Sequence, residues 1–309
     1  MPAHTHLFSR EQKDNNIWLS SEGLNVTDIK DRGLAPTVVA NEQAVGEAML
    51  HELLLTAKNK SGDINIALLG GRGAQQLHRV LGELACGTEH DALFARLNVF
   101  TQDALAPMTM QNRLSFVRDF ERILGPAFFA KIKSFTPMQT DSEDLEASLI
   151  AYLTKLEALG GLDIFFIGHG PEANDASHLA YIKPFSGAQA HHLAGIIPIS
   201  NSILEHHISK FKAGGSEVSE EDERECRDAQ FILTLGPATI LKAKKIVQSI
   251  VDADTAPAKV ATYQKVLNSK LSEHKEIAEA QLNANPGLWV RLHANVKSYI
   301  LPNLGVQNN

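Results

Sequence analysis

The sequence predicts an α/β fold whose parallel sheet is covered by helices on both faces. Three observations predict it. Short apolar runs end in glycine at 65–69, at 162–167 and at 231–235, each leading into a turn. Stretches with apolar residues at helical spacing lie between these runs. The alternation of strand, glycine turn and helix continues along the chain with no solenoid-type internal repeat.

Residues 1–33 are polar and mixed and read as an N-terminal arm with little regular structure, ahead of one α/β domain at 34–309. Val39, Ala44, Val45, Ala48, Met49, Leu53 and Leu54 recur at helical spacing over 36–60, with Pro36 suited to the start. The run 65–69 reads as a buried parallel strand and 74–83 as the helix after its turn. A second strand at 96–100 precedes polar Thr101-Gln102-Asp103, with helices expected at 114–124 and 142–159. The run 162–167 is the strongest strand signal. Segment 191–212 reads as partly helical, and the charged 212–227 as an exposed loop or a short solvated helix. A strand at 231–235, a helix at 239–245, a strand at 245–251 and a helix at 256–271 complete the pattern.

The chain has 309 residues, 44% of them hydrophobic, ample for a sizeable core. Its net charge of −7 and lack of Lys/Arg blocks argue against nucleic acid or an anionic membrane as main partner. A small anionic ligand needs only a local positive site and stays open. Cys86 and Cys226 have no metal-like spacing and read as reduced thiols. Neither a signal-peptide core nor an apolar run of about 20 residues is present, so the expected location is cytoplasmic.

In a parallel sheet, ligands sit beyond the carboxyl ends of the strands. Gly70-Gly71-Arg72-Gly73 can cradle an anion on backbone N–H groups, with Arg72 adding charge; a plain tight turn is the alternative. Asp103 can serve as a general base if burial raises its pKa, or simply cap a helix. The segment 168–184 crowds His169, Glu172, Asn174, Asp175, His178 and Lys183 into one loop, as a working loop would, or as a polar surface loop. His191-His192 and His206-His207 are adjacent pairs, and a helix turns neighbours to different faces, so no metal is expected.

The order of these segments, over roughly 36–300, resembles the glucosamine-6-phosphate deaminase and 6-phosphogluconolactonase family. The resemblance implies a Rossmann-like sheet related to ribose-5-phosphate isomerase. It places Gly70, Gly71, Arg72 and Gly73 on the phosphate loop, Asp103 on the catalytic aspartate, His178 on the catalytic histidine and Lys259 on the phosphate-binding lysine. Asp175 then orients His178. Asn201-Ser202 lacks the arginine that follows in the family, since Ile203 stands there. Ala104 stands where deaminases carry glutamate, and Lys183 where their histidine has its supporting glutamate. The implied function is binding and turnover of a phosphosugar without metal or organic cofactor, as deaminase/isomerase or lactonase. A sugar-phosphate sensor without turnover is the alternative that Lys183 and Ile203 suggest. A homo-oligomer is compatible with the family.

Overall fold

The computed structural model describes residues 8–21, 30–251, 253–254 and 256–304. The chain begins with the hairpin β1 (Phe8–Lys13) and β2 (Asn16–Ser21), then β3 (Thr37–Val38), α1 (Glu42–Asn59), β4 (Ile64–Leu68), α2 (Gln75–Cys86) and α3 (Asp91–Phe94). It continues through β5 (Leu97–Thr101), β6 (Asp103–Ala106), α4 (Phe116–Lys131), β7 (Ser134–Thr136), α5 (Leu145–Ala158), β8 (Ile164–Ile167), β9 (Gly170–Pro171) and β10 (Ser177–His178). The last part holds β11 (His192–Pro198), α6 (Asn201–Ala213), α7 (Glu220–Arg227), β12 (Phe231–Leu235), α8 (Pro237–Lys242), β13 (Lys245–Ile250), α9 (Ala258–Asn268), α10 (Lys275–Ala284) and β14 (Val296–Ile300).

Seven strands form a parallel sheet in the order β3-β14-β13-β8-β4-β5-β7. Every residue of β4, β5 and β8 is buried, which is why they read as continuous apolar runs. Strand order reverses between β4 and β8, the switch point at which α/β sheets open a crevice. Asp163 fastens the base of that junction: its carboxylate accepts from Asn65 N–H at 2.8 Å, Lys60 at 2.7 Å and Lys244 at 2.8 Å. The helices start where capping residues stand. Asn41, Ser115, Asp144 and Ser200 each accept a backbone N–H at the head of α1, α4, α5 and α6.

A second sheet, β1-β2-β11-β12-β6, departs from the sequence reading in three places. Segment 231–235 is a strand, but it pairs antiparallel with β11 and β6 and lies outside the parallel sheet. Segment 191–212 is half strand and half helix, β11 followed by α6. The third departure is in the expected arm. Its residues 8–21 form a hairpin whose inner strand pairs with β11, burying Trp18 and Leu19. Trp18 donates its indole N–H to the Ser186 carbonyl at 3.0 Å and stacks on His192. Gly195 makes room, since a Cβ there would lie 2.6 Å from the Trp18 ring. Residues 1–7 and 22–29 of that arm lie outside the described residues.

Segment 212–227 contains the solvated helix α7, opened by a Ser219–Asp222 capping box. Among the described residues, no helix is long and apolar enough to cross a membrane.

Candidate active site

A cavity opens at the carboxyl ends of the strands around the switch point. Eight segments bring residues to it: 69–73 after β4, 102–103 after β5, the start of α4, 168–170 after β8, 178–181 from β10 onward, α6, the end of β13 and the first turn of α9. Gly70, Gly71, Arg72, Gly73, Asp103, His178 and Lys259 all line it. It is narrow, with about 80 Å³ of open space. Asp175 does not reach it.

The glycine turn is shaped by its surroundings. Gly71 adopts φ 68°, a conformation that glycine reaches without penalty, and its N–H donates to the Asp119 carboxylate. Arg72 lines the cavity, but one of its terminal nitrogens is ion-paired to Glu42 at 2.8 Å, while its Nε is buried without a hydrogen-bond partner. Its charge is therefore shared with the start of α1. Lys259 and Lys210, both buried, add two ammonium groups to the lining. Lys210 comes from α6, two turns after Asn201-Ser202, where the sequence lacks the resembled family's arginine.

Asp103 opens β6, opposite Thr234 of β12. Its carboxyl is buried, Oδ1 has no hydrogen-bond partner, and burial pushes its pKa well above the ordinary carboxylate range. Burial thus favours the protonated carboxyl over the carboxylate at this position.

His178 faces Gly170 across the β9–β10 ladder. Only glycine fits there, because a Cβ at 170 would stand 1.7 Å from His178 Nε2. The imidazole Nδ1 lies 2.7 Å from Glu172 Oε1. Burial raises the Glu172 carboxyl, but the hydrogen bond and charge of His178, with a hydrogen bond from the Ser202 hydroxyl, outweigh this and hold it below its usual range. Glu172, not Asp175, is thus the partner of His178. Asn174 and Asp175 both take positive φ, 57° and 55°, in a short helical turn that leaves Asp175 exposed. Lys183 lies outside this cavity, and Glu172 supplies from the other side of His178 the carboxylate that Lys183 was expected to displace.

The pair His206-His207 also corrects the sequence reading, since both residues line the cavity. Neighbours on a helix point about 100° apart, yet His206 and His207 both line the cavity, together with Lys210 and Phe211 of the same helix. His207 donates from Nε2 to the Leu114 carbonyl at 2.7 Å, so its Nδ1 accepts from the Tyr181 hydroxyl at 2.8 Å. Burial depresses His207 to about 4. Tyr181, at φ 58°, in turn packs edge-on against His178. The His206–Lys210 spacing of four residues was the available sequence signal. His169 also lines the cavity; its Nε2 lies 2.7 Å from the Thr262 hydroxyl.

Glu11, His191 and His192 form a group compact enough to hold a metal ion. His192 Nδ1, however, accepts the Gln189 N–H at 3.0 Å, which puts the neutral ring's proton on Nε2, facing Glu11. A metal-bound imidazole does the reverse, donating from its other nitrogen. This cluster is a set of hydrogen bonds tying the hairpin to β11.

The parallel sheet with its switch point defines a Rossmann-like α/β protein, and lysine and histidine side chains line the cavity at that point beside the buried Asp103 carboxyl. No family model and no curated protein matches the sequence. Solved structures do match the fold. A monomeric glucosamine-6-phosphate deaminase superimposes with a TM-score of 0.66 at 19% identity, covering 88% of this chain and 98% of that one. The 6-phosphogluconolactonase of Trypanosoma brucei matches with a TM-score of 0.61 at 17% identity, over 87% of this chain and 97% of that one. A 6-phosphogluconolactonase from Shewanella baltica gives 0.61 at 13% identity, over 87% and 99%.

Proposed function

We propose that this protein is an enzyme that moves protons on a phosphorylated sugar, in the manner of a deaminase/isomerase. The observation carrying this reading is that Asp103 and the His178–Glu172 pair open onto the same cavity as the Gly70–Gly73 turn and Lys259. The turn and the two lysines would hold the phosphate by backbone N–H groups and charge. Asp103, kept protonatable by burial, would exchange a proton with a substrate carbon or hydroxyl. His178, its ring fixed by Glu172, would serve the ring oxygen. Two proton-transfer groups suit ring opening followed by a shift of a carbon-bound proton; hydrolysis of a lactone needs only one. The solved structures of like fold include enzymes of both kinds.

The sensor reading loses its main support, because Glu172 and Lys210 supply from other positions the groups whose absence suggested it. The test is turnover of glucosamine 6-phosphate, with 6-phosphogluconolactone in parallel. The expected result is release of ammonia from the amino sugar, abolished in D103N. Calorimetric binding of glucosamine 6-phosphate without turnover would revive the sensor, and turnover of the lactone alone would transfer the assignment to hydrolysis.

A further inference from the structure

A second cavity, larger than the first at about 480 Å³, lies between α4 and the turn after α6. Arg113, Arg118 and Arg122 line it together with Glu121, Gly215, Ser216 and Glu217. Glu121 and Glu217 share the lining with the three guanidiniums, and Arg122 is paired with a third carboxylate, that of buried Asp119, so what the cavity offers an anion is spare N–H donors rather than net charge. Arg118 is ion-paired to Glu121, Arg113 donates to the Glu217 carbonyl at 2.6 Å, and Arg122 donates to Asp119 at 2.6 Å and to the Gly214 carbonyl at 3.2 Å. Each guanidinium carries five N–H donors, and the others have no partner among the described residues. The Ser216 side chain is nine-tenths buried in the same lining, and its hydroxyl has no hydrogen-bond partner either. A buried hydroxyl left unmatched costs free energy unless something else accepts or donates there.

We infer that this cavity is a second anion site, built for the phosphate or carboxylate of a small metabolite. Guanidiniums suit it because their paired N–H groups match the oxygens of such an anion. The cavity has the volume of an ordinary small-molecule site. It also stands close to the first pocket through one side chain. Arg122 holds Asp119, and Asp119 accepts the N–H of Gly71 in the Gly70–Gly73 turn. An anion that engages Arg122 therefore competes with the group that fixes that turn.

Calorimetric titration of the full chain with inorganic phosphate tests the site. The expected result is two binding events, of which the double variant R113Q/R118Q weakens one at least tenfold while K259A weakens the other. Both arginines are exposed, and an unchanged thermal midpoint ties the loss to the site. S216A gives a second reading that does not depend on charge. It removes a hydroxyl that bonds nothing in the protein, so it leaves stability intact and weakens the same event several-fold. A phosphate isotherm unaltered in both R113Q/R118Q and S216A overturns the site. Loss of an event in those variants with no change in K259A keeps the site and instead removes Lys259 from the proposed function.

Discussion

Burial, rather than a partner, pushes the Asp103 carboxyl above its ordinary range, and this makes its role separable from its contribution to folding. Burial without a hydrogen bond at Oδ1 favours the protonated form, so the carboxylate is the state that the fold resists. Asp103→Asn keeps the shape and removes the titration. The expected outcome is a fall in kcat on the order of 10²–10⁴ with KM little changed and a thermal midpoint equal or higher. A lower midpoint together with normal kcat would assign the residue to structure. Glu172 and Asp175 make a matched comparison. Glu172 holds Nδ1 of His178, and Glu172→Gln should lower kcat by about 10² and shift the alkaline or acid limb of its pH profile. Asp175→Asn, at an exposed position, should leave kcat within about twofold. If both variants behave alike, Glu172 does not orient the imidazole.

The first two strands show what an element can conceal. β1 exposes most of its side chains, and its sequence FSREQK carries no alternation to betray a strand. What holds the hairpin is β11, about 175 residues further on, whose Gly195 accepts the face of Trp18. Trp18→Ala should cost about 3–5 kcal/mol, read as a lower urea midpoint with unchanged slope, because a buried indole and its hydrogen bond are lost together. A loss under 1 kcal/mol would return residues 8–21 to the status of an arm. The contrast with β4, β5 and β8 is physical. Strands covered on both faces must be apolar throughout and are legible one by one, as is β12, whereas β1, β2 and β6, and the antiparallel partners of β12, depend on segments far away in sequence. The same division runs through the site. The Gly70 turn, Asp103 and the loop that holds His178 each follow a legible strand, whereas Lys259, inside a helix, stands out only through the family resemblance. The choice of Glu172 over Asp175 depends on two positive φ angles, and the Tyr181–His207 bond on packing across 26 residues; neither leaves a mark in spacing.

At the scale of the whole molecule, the buried imidazoles govern the response to acid. His78 has both ring nitrogens without hydrogen bonds and packs edge-on against Phe120; burial depresses it to about 3. Burial also depresses His207, to about 4, although its bond to the Leu114 carbonyl works the other way. His169 lies well below its usual value through burial and the charges of Lys259 and His178. Each binds a proton in the unfolded chain near pH 6.5 and refuses it in the folded one. Stability is therefore undiminished above pH 6.5 and is lost as pH falls toward the folded values, by about 1 kcal/mol each for His78 and His207 between pH 6.5 and 5.5. Asp103 has the opposite sign. Its raised value means that the folded state keeps a proton the unfolded carboxylate lacks, which works against the histidines' loss as pH falls. Burial depresses His192 and His206 as well, to about 4 and about 2, so the histidines outnumber Asp103 and the expected outcome is a fall in the urea midpoint from pH 6.5 to 5.5. His78→Leu isolates the cause, since it removes one titrating group far from substrate and should recover about 1 kcal/mol of that pH dependence. If the midpoint moves with pH equally in H78L and in the unaltered chain, acid sensitivity comes from the carboxylates and not from the buried histidines.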